Sequence, residues 1–476
     1  MRAGVSPDAP APLRSRGMAD SLTVVIMAAG QGTRMKSSLP KVLHPVCGQP
    51  MVHWVIAAAR DAGAVKVVCI TRPGDGVAEA LPAGTEVAEQ TEGEGTGSAV
   101  LAARDHVDPD STVVVLSGDV PLTSAALLGQ LTAHHVSRDA AATLLTTDAL
   151  DPAGYGRIVR NPDGGVERIV ETKYTEGVPA EELAIREINI GTYAFKARAL
   201  FDALDAVGET KGERYLTDVF PLILDGGGRI AAHTTPDVSS AMGVNTRADL
   251  AAVQEIAQRR VIERLAESGV TFDSPGTAAI DAQVRIAPDT TIGNGVTLTG
   301  ETTIGAGSTI GPATTIRDSA IGAGTTVLHS YLTDCKVADG VTIGPFAYLR
   351  PEAEIGDGAK IGTFVEVKKS RVGAGAKVPH LSYIGDADIG DRANVGGGAI
   401  TANYHRKVKN RTQIGSDART GVHNSFVAPV RVGDGAYTGA GSVISDDVPD
   451  GALGITRSEQ KNVEGYAKRV EEETGQ

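Results

Sequence analysis

The sequence predicts an α/β fold in which a parallel-sheet unit is followed by a long connecting helix and a C-terminal parallel β-helix. Three observations carry that expectation. Aliphatic residues recur every six positions at Ile280, Ile286, Ile292, Leu298, Ile304, Ile310 and Ile316, and after short slips at Ile321, Val327, Val337, Ile343, Leu349, Ile355, Ile361 and Val367, continuing to about Val443. A period of six fits no helical face and marks a stacked hexapeptide solenoid. Upstream, short β-rich apolar runs such as LTVVIM (Leu22 to Met27) alternate with amphipathic stretches such as Met51 to Ala62, the pattern of strands covered on both faces by helices. Between the two, Ala248 to Ser268 carries one long helical pattern.

Within the repeat, each short strand directs one aliphatic side chain into a narrow core. Glycine, Asn or Asp near the corners permits the turns. Many repeats read IGNGVT, IGAGST or IGDGAK. One coil cannot bury its own core, so stability comes from stacking. The chain is rich in glycine, 58 of 476 residues, but chance Ile-Gly pairs do not hold phase over so many repeats.

A formal net charge of −13 argues against nucleic-acid binding and against attraction to anionic membranes, so any phosphate site must be local. Cys47, Cys69 and Cys335 show neither metal spacing nor an even framework, which suits a reducing, cytoplasmic location. No apolar run is long enough for membrane insertion. Residues 1–20 hold arginine and proline without an apolar core. They are expected to be a disordered tail rather than a signal peptide, with Met18 an alternative start.

Strand Leu22 to Met27 runs into AAGQGTRM, residues 28–35. Gly30 and Gly32 allow backbone N–H groups to face an anion. The third glycine of a dinucleotide fingerprint is absent, and no Walker GK[ST] follows. A glycine turn after a strand is weak evidence alone. Two cations sharpen it, Arg34 and Lys41 of LPKVLHPV, because a leaving pyrophosphate needs charge compensation. AAGxGTRM followed by PKxL resembles the sugar-1-phosphate nucleotidyltransferases. The resemblance implies a Rossmann-like nucleotidyltransferase domain, with Ala28, Ala29, Gly30, Gly32 and Lys41 around the nucleotide and Arg34 and Lys41 acting in catalysis. It also implies that Gln90, Gly95 and Thr96 of EQTEGEGTGS read the uracil of UTP; the amide of Gln90 offers a donor and an acceptor. The bland alternative is a polar loop before a helix.

Thr112 to Leu116 is a further apolar strand, ending in Ser117-Gly118-Asp119. The carboxyl ends of strands in open α/β sheets are where ligands bind. A lone Asp there is usually a turn or cap residue. The resemblance instead implies a Mg2+ ligand, with Asn245 of MGVNTRADL as the second. It further implies that Gly156 of GYGRIVR, Glu171 of VETK and Asn189 of EINIGTYAF contact UDP-N-acetylglucosamine on its sugar side.

One part of the repeat differs from the rest. It contains LRP with Arg350, VEVKKS with Lys368, PHLSYIG with His380 and Tyr383, DRANVGGG with Asn394, and an insertion after TANY with Asn403 and Tyr404. With the N-terminal motifs, these strings resemble the bifunctional bacterial family that is both N-acetylglucosamine-1-phosphate uridylyltransferase and glucosamine-1-phosphate N-acetyltransferase. The resemblance covers roughly Thr23 to Gly465. It implies a left-handed β-helix, a homotrimer with sites between subunits, and His380 as the general base on the amine of glucosamine 1-phosphate. Histidine suits that task, since the ammonium must lose a proton near the working pH. Arg350, Lys368, Tyr383 and Asn394 would hold the sugar phosphate, and Asn403, Tyr404, Val422, Ala440 and Arg457 would contact acetyl-CoA. Without Arg350 and Lys368 at this spacing, His380 would read as a solvated corner residue.

The chain departs from the family pattern at Ser117, at Ser98, at His405-Arg406 in the insertion and at Val422. The expected segments are 1–20 tail, 21–246 nucleotidyltransferase, 247–270 linker helix, 271–449 β-helix acetyltransferase and 450–476 C-terminal tail. The alternative is a nucleotidyltransferase whose β-helix only oligomerises or regulates. The constellation of His380, Arg350 and Lys368 argues against that alternative; a third possibility is a trimeric binding scaffold without catalysis. The repeat-region histidines lack the spacing of a zinc hydrolase.

Overall fold

The computed structural model describes residues 21–475 except 154, 163, 171, 173–177, 210, 211 and 406. The expected N-terminal tail, Glu171 and Arg406 therefore lie outside the described residues. The chain forms two compact units, 1–257 and 258–476.

The first unit is built on a mixed sheet in the order Ile230–Thr234, Ala142–Thr147, Ile188–Lys196, Thr112–Ser117, Leu22–Met27, Lys66–Thr71, Glu86–Glu89. Leu22–Met27 pairs in parallel with both Lys66–Thr71 and Thr112–Ser117. Its position between two parallel partners explains why nearly every residue of LTVVIM is buried. Ile188–Lys196 runs antiparallel to its neighbours on both sides. It also carries the hairpin of Arg157–Arg160 and Val166–Val170. Helices Met51–Asp61 and Ala125–Ser137 bury Val52, Val55, Ile56, Leu128 and Leu131 on one face. On the other face, Ala197–Ala206 and Val219–Asp225 bury Leu200, Leu204, Val219 and Phe220. The chain leaves Leu22–Met27 toward Lys66–Thr71 on one side and returns to Thr112–Ser117 on the other. This reversal opens a crevice at the carboxyl ends of those two strands, where the Gly118 N–H donates to the Met27 carbonyl at 2.9 Å.

The second unit is a three-sided prism of parallel strands in which every third strand joins the same sheet. Along one side Ile292, Ile310, Val327, Ile343, Ile361 and Val378 stack in register and are buried. The slips in the six-residue beat are coils one or two residues short, taken up at corners without losing register. The insertion lengthens the coil between Ala387–Ile389 and Thr412–Ile414 and folds as a small hairpin, Tyr404–His405 against Val408–Lys409.

The structure separates the roles of the two glycines in such a repeat. The glycine directly after the core Ile is not the turn residue. Gly305 has no left-handed φ; a Cβ there would lie 2.4 Å from the Ala323 nitrogen of the next coil. Gly307, two residues on, has φ +67° and open space around it. In IGAG the first glycine admits the neighbouring backbone and the second makes the turn.

The long helix spans Arg247–Glu267, within a residue of expectation. Gln258 on it donates to the Ile280 carbonyl and accepts from the Ile280 N–H, both at 3.1 Å, capping the edge where the prism begins. The charged tail holds an exposed helix, Tyr466–Thr474. Among the described residues no helix is long and apolar enough to cross a membrane.

Candidate active sites

The loop after Leu22–Met27 is shaped by one glycine. Gly32 sits at φ +61°, and a Cβ on it would lie 2.6 Å from Cβ of Lys41. The loop therefore rests on the base of the Lys41 side chain. Lys41 extends into the crevice, where its Nζ pairs with the Asp119 carboxylate and donates to Oδ1 of Asn245 at 3.2 Å. Arg34 donates to the same Asn245 oxygen at 2.9 Å. Four residues singled out from the sequence thus meet at one point, although Asp119 and Asn245 are far apart in the chain.

Two further contacts fix Asn245. The Val244 N–H donates to the Asp119 carbonyl at 2.9 Å. Asp249 accepts from the N–H groups of Asn245 at 2.9 Å and Thr246 at 2.8 Å. At Asp249 burial disfavours the charged form, but the hydrogen bonds from Asn245 and Thr246, with Arg34 nearby, outweigh it and hold the carboxyl below its ordinary value. Sequence reasoning passed over Asp249, yet Thr246-x-x-Asp249 is a readable helix-capping pattern.

Asp119 and Asn245 present two hard oxygens that Nζ of Lys41 bridges, with Arg34 also on the Asn245 oxygen. That donor set fits a divalent ion completing its shell with phosphate oxygens and water. Among the described residues no group of three or more His, Cys, Asp or Glu gathers elsewhere to compete for one.

Two cavities flank this point and share Met27, Thr96 and Ser117. One, of about 640 Å³, is lined by Gly30, Lys41, Arg72, Gln90 and Gly95. Gln90 is 9% exposed and donates one amide N–H to the Gly93 carbonyl at 2.9 Å, leaving its other N–H and its oxygen free of that bond. Thr96 is locked by accepting from the Leu216 N–H at 2.9 Å. The other cavity, of about 340 Å³, is lined by Asp119, Tyr155, Gly191 and Asn245.

Gly156 accepts from the Asn189 N–H at 2.9 Å, which seats the segment entering the hairpin against Ile188–Lys196. The Asn189 side chain is partly committed to its own strand. It donates to the Tyr193 hydroxyl at 2.8 Å and accepts from the Gly191 N–H at 3.0 Å, closing the bulge at Asn189–Tyr193. Ala28 and Ala29 are buried and offer backbone rather than side chain.

In the prism, Leu349 pairs in register with Val367, and Lys368 with Gly385. Arg350 and Lys368 therefore occupy the same row in successive coils, forming a short cationic column. Arg350 is tethered to Glu366 at 2.7 Å. Tyr383 stands beside the column, its ring folded over Gly385 so that a Cβ there would meet the phenol at 2.3 Å. His380 lies at the corner just before Tyr383 and is exposed.

The next coil has Gly397 and Gly398 at this corner, and the coil after that has His423. A Cβ on Gly397 would strike Cδ2 of His380 at 2.7 Å, and one on Gly398 would strike Nδ1 of His423 at 2.6 Å. The glycine pair thus leaves a gap bounded by two imidazoles. The sequence reading weighed His423 only as a metal ligand, with the other repeat-region histidines, and set it aside, though GGG at a repeat corner signals a missing side-chain layer.

Asn394 pairs with Lys377 and Arg419 on the adjoining face, around the corner from Arg350 and Lys368. Asn403 donates to the buried Asp386 carboxylate. Tyr404 projects from the hairpin and is exposed. Gly441 N–H donates to the carbonyl of exposed Val422 at 2.8 Å, which sets Val422 beside Ala440 of the next coil. Arg457 lies in the exposed segment beyond the last coil.

Comparison with known proteins agrees with both halves. Residues 24–220 match the MobA-like NTP transferase domain, and residues 334–369 match the bacterial transferase hexapeptide of six repeats. A relative from Geobacillus sp. strain WCH70 is 46% identical over 450 residues, covering 94% of this chain and 97% of its own. One from Kineococcus radiotolerans is 46% identical over 457 residues, covering 94% and 92%. One from Listeria monocytogenes serotype 4a is 45% identical over 450 residues, covering 94% and 98%. Each is named bifunctional protein GlmU. The prism is accordingly the left-handed β-helix of the hexapeptide transferases, and the similarity covers 94% of the chain, hence both units: the chain belongs to the GlmU family.

Proposed function

We propose how the two activities of this bifunctional enzyme are divided along the chain and which side chains perform them. The chain is an acetyl-CoA-dependent N-acetyltransferase for glucosamine 1-phosphate and a uridylyltransferase that joins the product to UTP with release of pyrophosphate. Residues 21–246 carry uridylyl transfer, 247–270 link, 271–449 carry acetyl transfer and 450–476 form the tail. The observation that carries the first assignment is the convergence of Lys41, Asp119, Asn245 and Arg34 at the strand ends.

In uridylyl transfer the phosphate oxygen of N-acetylglucosamine 1-phosphate attacks the α-phosphorus of UTP in line, and pyrophosphate leaves. Asp119 and Asn245 would hold Mg2+, which would supply charge neutralisation at the triphosphate. Lys41 and Arg34 offset the charge that builds on the departing pyrophosphate. Gln90, Gly95 and Thr96 hold the uracil, backbone from Ala28 to Gly32 faces the phosphates, and Ser117 and Gly118 floor the crevice. Gly156 and Asn189 face the sugar, and Glu171 is assigned to it by the family resemblance alone.

In acetyl transfer His380 takes the proton of the substrate ammonium. The freed amine attacks the thioester carbonyl, and the CoA thiolate leaves with a proton. Arg350 and Lys368 bind the sugar phosphate, a task suited to a fork and a point charge in one column. Tyr383 and Asn394 orient the sugar, and Asn403, Tyr404, Val422, Ala440 and Arg457 receive acetyl-CoA. Because Asn394 sits around the corner from the cationic column, one chain does not surround the substrate. This supports a homotrimer whose sites lie between subunits.

The test is CoA release from acetyl-CoA and glucosamine 1-phosphate, beside pyrophosphate release from UTP and N-acetylglucosamine 1-phosphate. His380→Ala is expected to lose the first and keep the second. Retention of CoA release in that variant would remove His380 from the mechanism.

A further inference from the structure

We infer that Arg72 is a positioning residue for uridylyl transfer, a clasp that sets the width of the nucleotide cavity. The inference rests on the reading of that cavity as the UTP site. Arg72 follows strand Lys66–Thr71 and lines the cavity of about 640 Å³ together with Gln90 and Lys41. Its Nε donates to the Ala29 carbonyl at 2.7 Å, in the loop that faces the phosphates. Its Nη2 donates to the Glu94 carboxylate at 2.8 Å, in the loop that follows Gln90. One guanidinium thus spans the two segments assigned to opposite ends of the nucleotide.

Each segment is also fixed at its far side. The Ala28 N–H donates to the Ile70 carbonyl at 2.9 Å, and the Gln90 N–H to the Thr71 carbonyl at 2.9 Å. Glu94 bridges to Glu213, and its carbonyl accepts from the Arg214 N–H at 2.9 Å. What those contacts leave open is the gap between the Ala29 carbonyl and the Glu94 side chain, and Arg72 closes it.

Arg72 is itself held in place: its backbone N–H donates to Asp75 at 3.1 Å, tightening the turn from which the side chain springs. A planar guanidinium can serve two acceptors in fixed directions, whereas an ammonium on a flexible stem holds one well and the other poorly. The ion pair is partly exposed, at 30% and 58% of the two side chains, so its direct energetic worth is small. Its consequence is geometric: released, the Glu94 loop and Gln90 can drift from the phosphate loop, and uracil and phosphates are no longer held at matched separation.

The test is steady-state pyrophosphate release for Arg72→Ala, Arg72→Lys, Glu94→Ala and the Arg72→Ala/Glu94→Ala double variant, with acetyl transfer by the same preparations reporting integrity. Arg72→Ala is expected to raise KM for UTP about tenfold, with kcat and the KM for N-acetylglucosamine 1-phosphate within about twofold. Arg72→Lys is expected to recover part of the loss. The double variant is expected to be no worse than Arg72→Ala, since both changes open the same clasp.

A KM for UTP within twofold of wild type in Arg72→Ala, or additive losses in the double variant, overturns the inference. If Arg72→Ala fails to fold, Arg72→Lys and the exposed Glu94→Ala decide it by the same KM comparison. If wild type prefers another nucleoside triphosphate, the UTP reading falls. The clasp is then judged on the KM for that nucleotide.

Discussion

Replacing Gly32 by alanine attacks the nucleotidyl site without removing any charged or hydrogen-bonding group. The backbone there is left-handed, at φ +61°, which costs a residue with a Cβ about 1–2 kcal/mol. The new methyl would lie 2.6 Å from Cβ of Lys41, roughly 1 Å inside ordinary carbon–carbon contact. Lys41 is anchored by its backbone in the Lys41–Leu43 turn, so either the loop lifts or the lysine side chain tips away from Asp119 and Asn245. A displacement of about 1 Å at a charge-stabilising group costs on the order of a hundredfold in rate.

The expected outcome is therefore a fall of about a hundredfold in kcat/KM for pyrophosphate release, with CoA release unchanged. A strain of about 2 kcal/mol in a unit of this size lowers its unfolding midpoint by roughly 4–8 °C. Gly30→Ala is the control for the steric part. Gly30 has no left-handed φ, and a Cβ added to it would meet nothing within 4 Å, so its unfolding midpoint is expected to stay at the wild-type value. A Gly32→Ala enzyme with wild-type pyrophosphate release and wild-type midpoint would refute the packing of loop on lysine as the source of Lys41's position.

Two further predictions concern stability. His135 is 2% exposed, its Nδ1 meets the Thr143 hydroxyl at 2.9 Å, and its Nε2 is buried without a partner. Burial first, then Lys196, pushes its pKa from 6.5 down to about 4, with Asp139 opposing. Above pH 6.5 both folded and unfolded chains carry it neutral. Between 6.5 and about 4 only the unfolded chain takes the proton, so stability falls with falling pH by on the order of 3 kcal/mol in total, and levels off below. Urea unfolding across that window is expected to lose this slope in His135→Gln, and an unaltered slope would exclude His135 as its source. In the prism, Gly305→Ala places a methyl 2.4 Å from the Ala323 nitrogen, and a loss of about 1–3 kcal/mol is expected by thermal unfolding. Unchanged stability would mean that the coils can part at no cost.

Much of this molecule is written in local chemistry. A beat of six dictates a stacked solenoid because only one residue in each short strand can point inward, and Ile292, Ile310 and Ile361 do so. The buried run Leu22–Met27 signals a central parallel strand because both of its faces are covered. The cations Arg34 and Lys41 stood out because they flank a glycine turn at a strand end, where such sheets bind ligands; Asp119 alone would have read as a turn or cap residue and stood out only through the family resemblance. His380 was singled out through Arg350 and Lys368, and the structure sets those two cations one coil apart.

What the sequence by itself determined, then, is which segments stack or pair and which residue types stand at their ends, because periodicity and turn chemistry act over a few residues. Only the tertiary structure decided what meets across long stretches of chain. It brought Asn245 onto Lys41 and Arg34, set Arg72 between Ala29 and Glu94, turned part of Asn189's amide to its own bulge and put Asn394 around the corner from the cationic column. It also showed that the first glycine of IGAG serves the next coil rather than its own turn. The physical reason is the same throughout: a side chain's partner is chosen by the packing of whole elements, and no spacing within one segment encodes the distance to another.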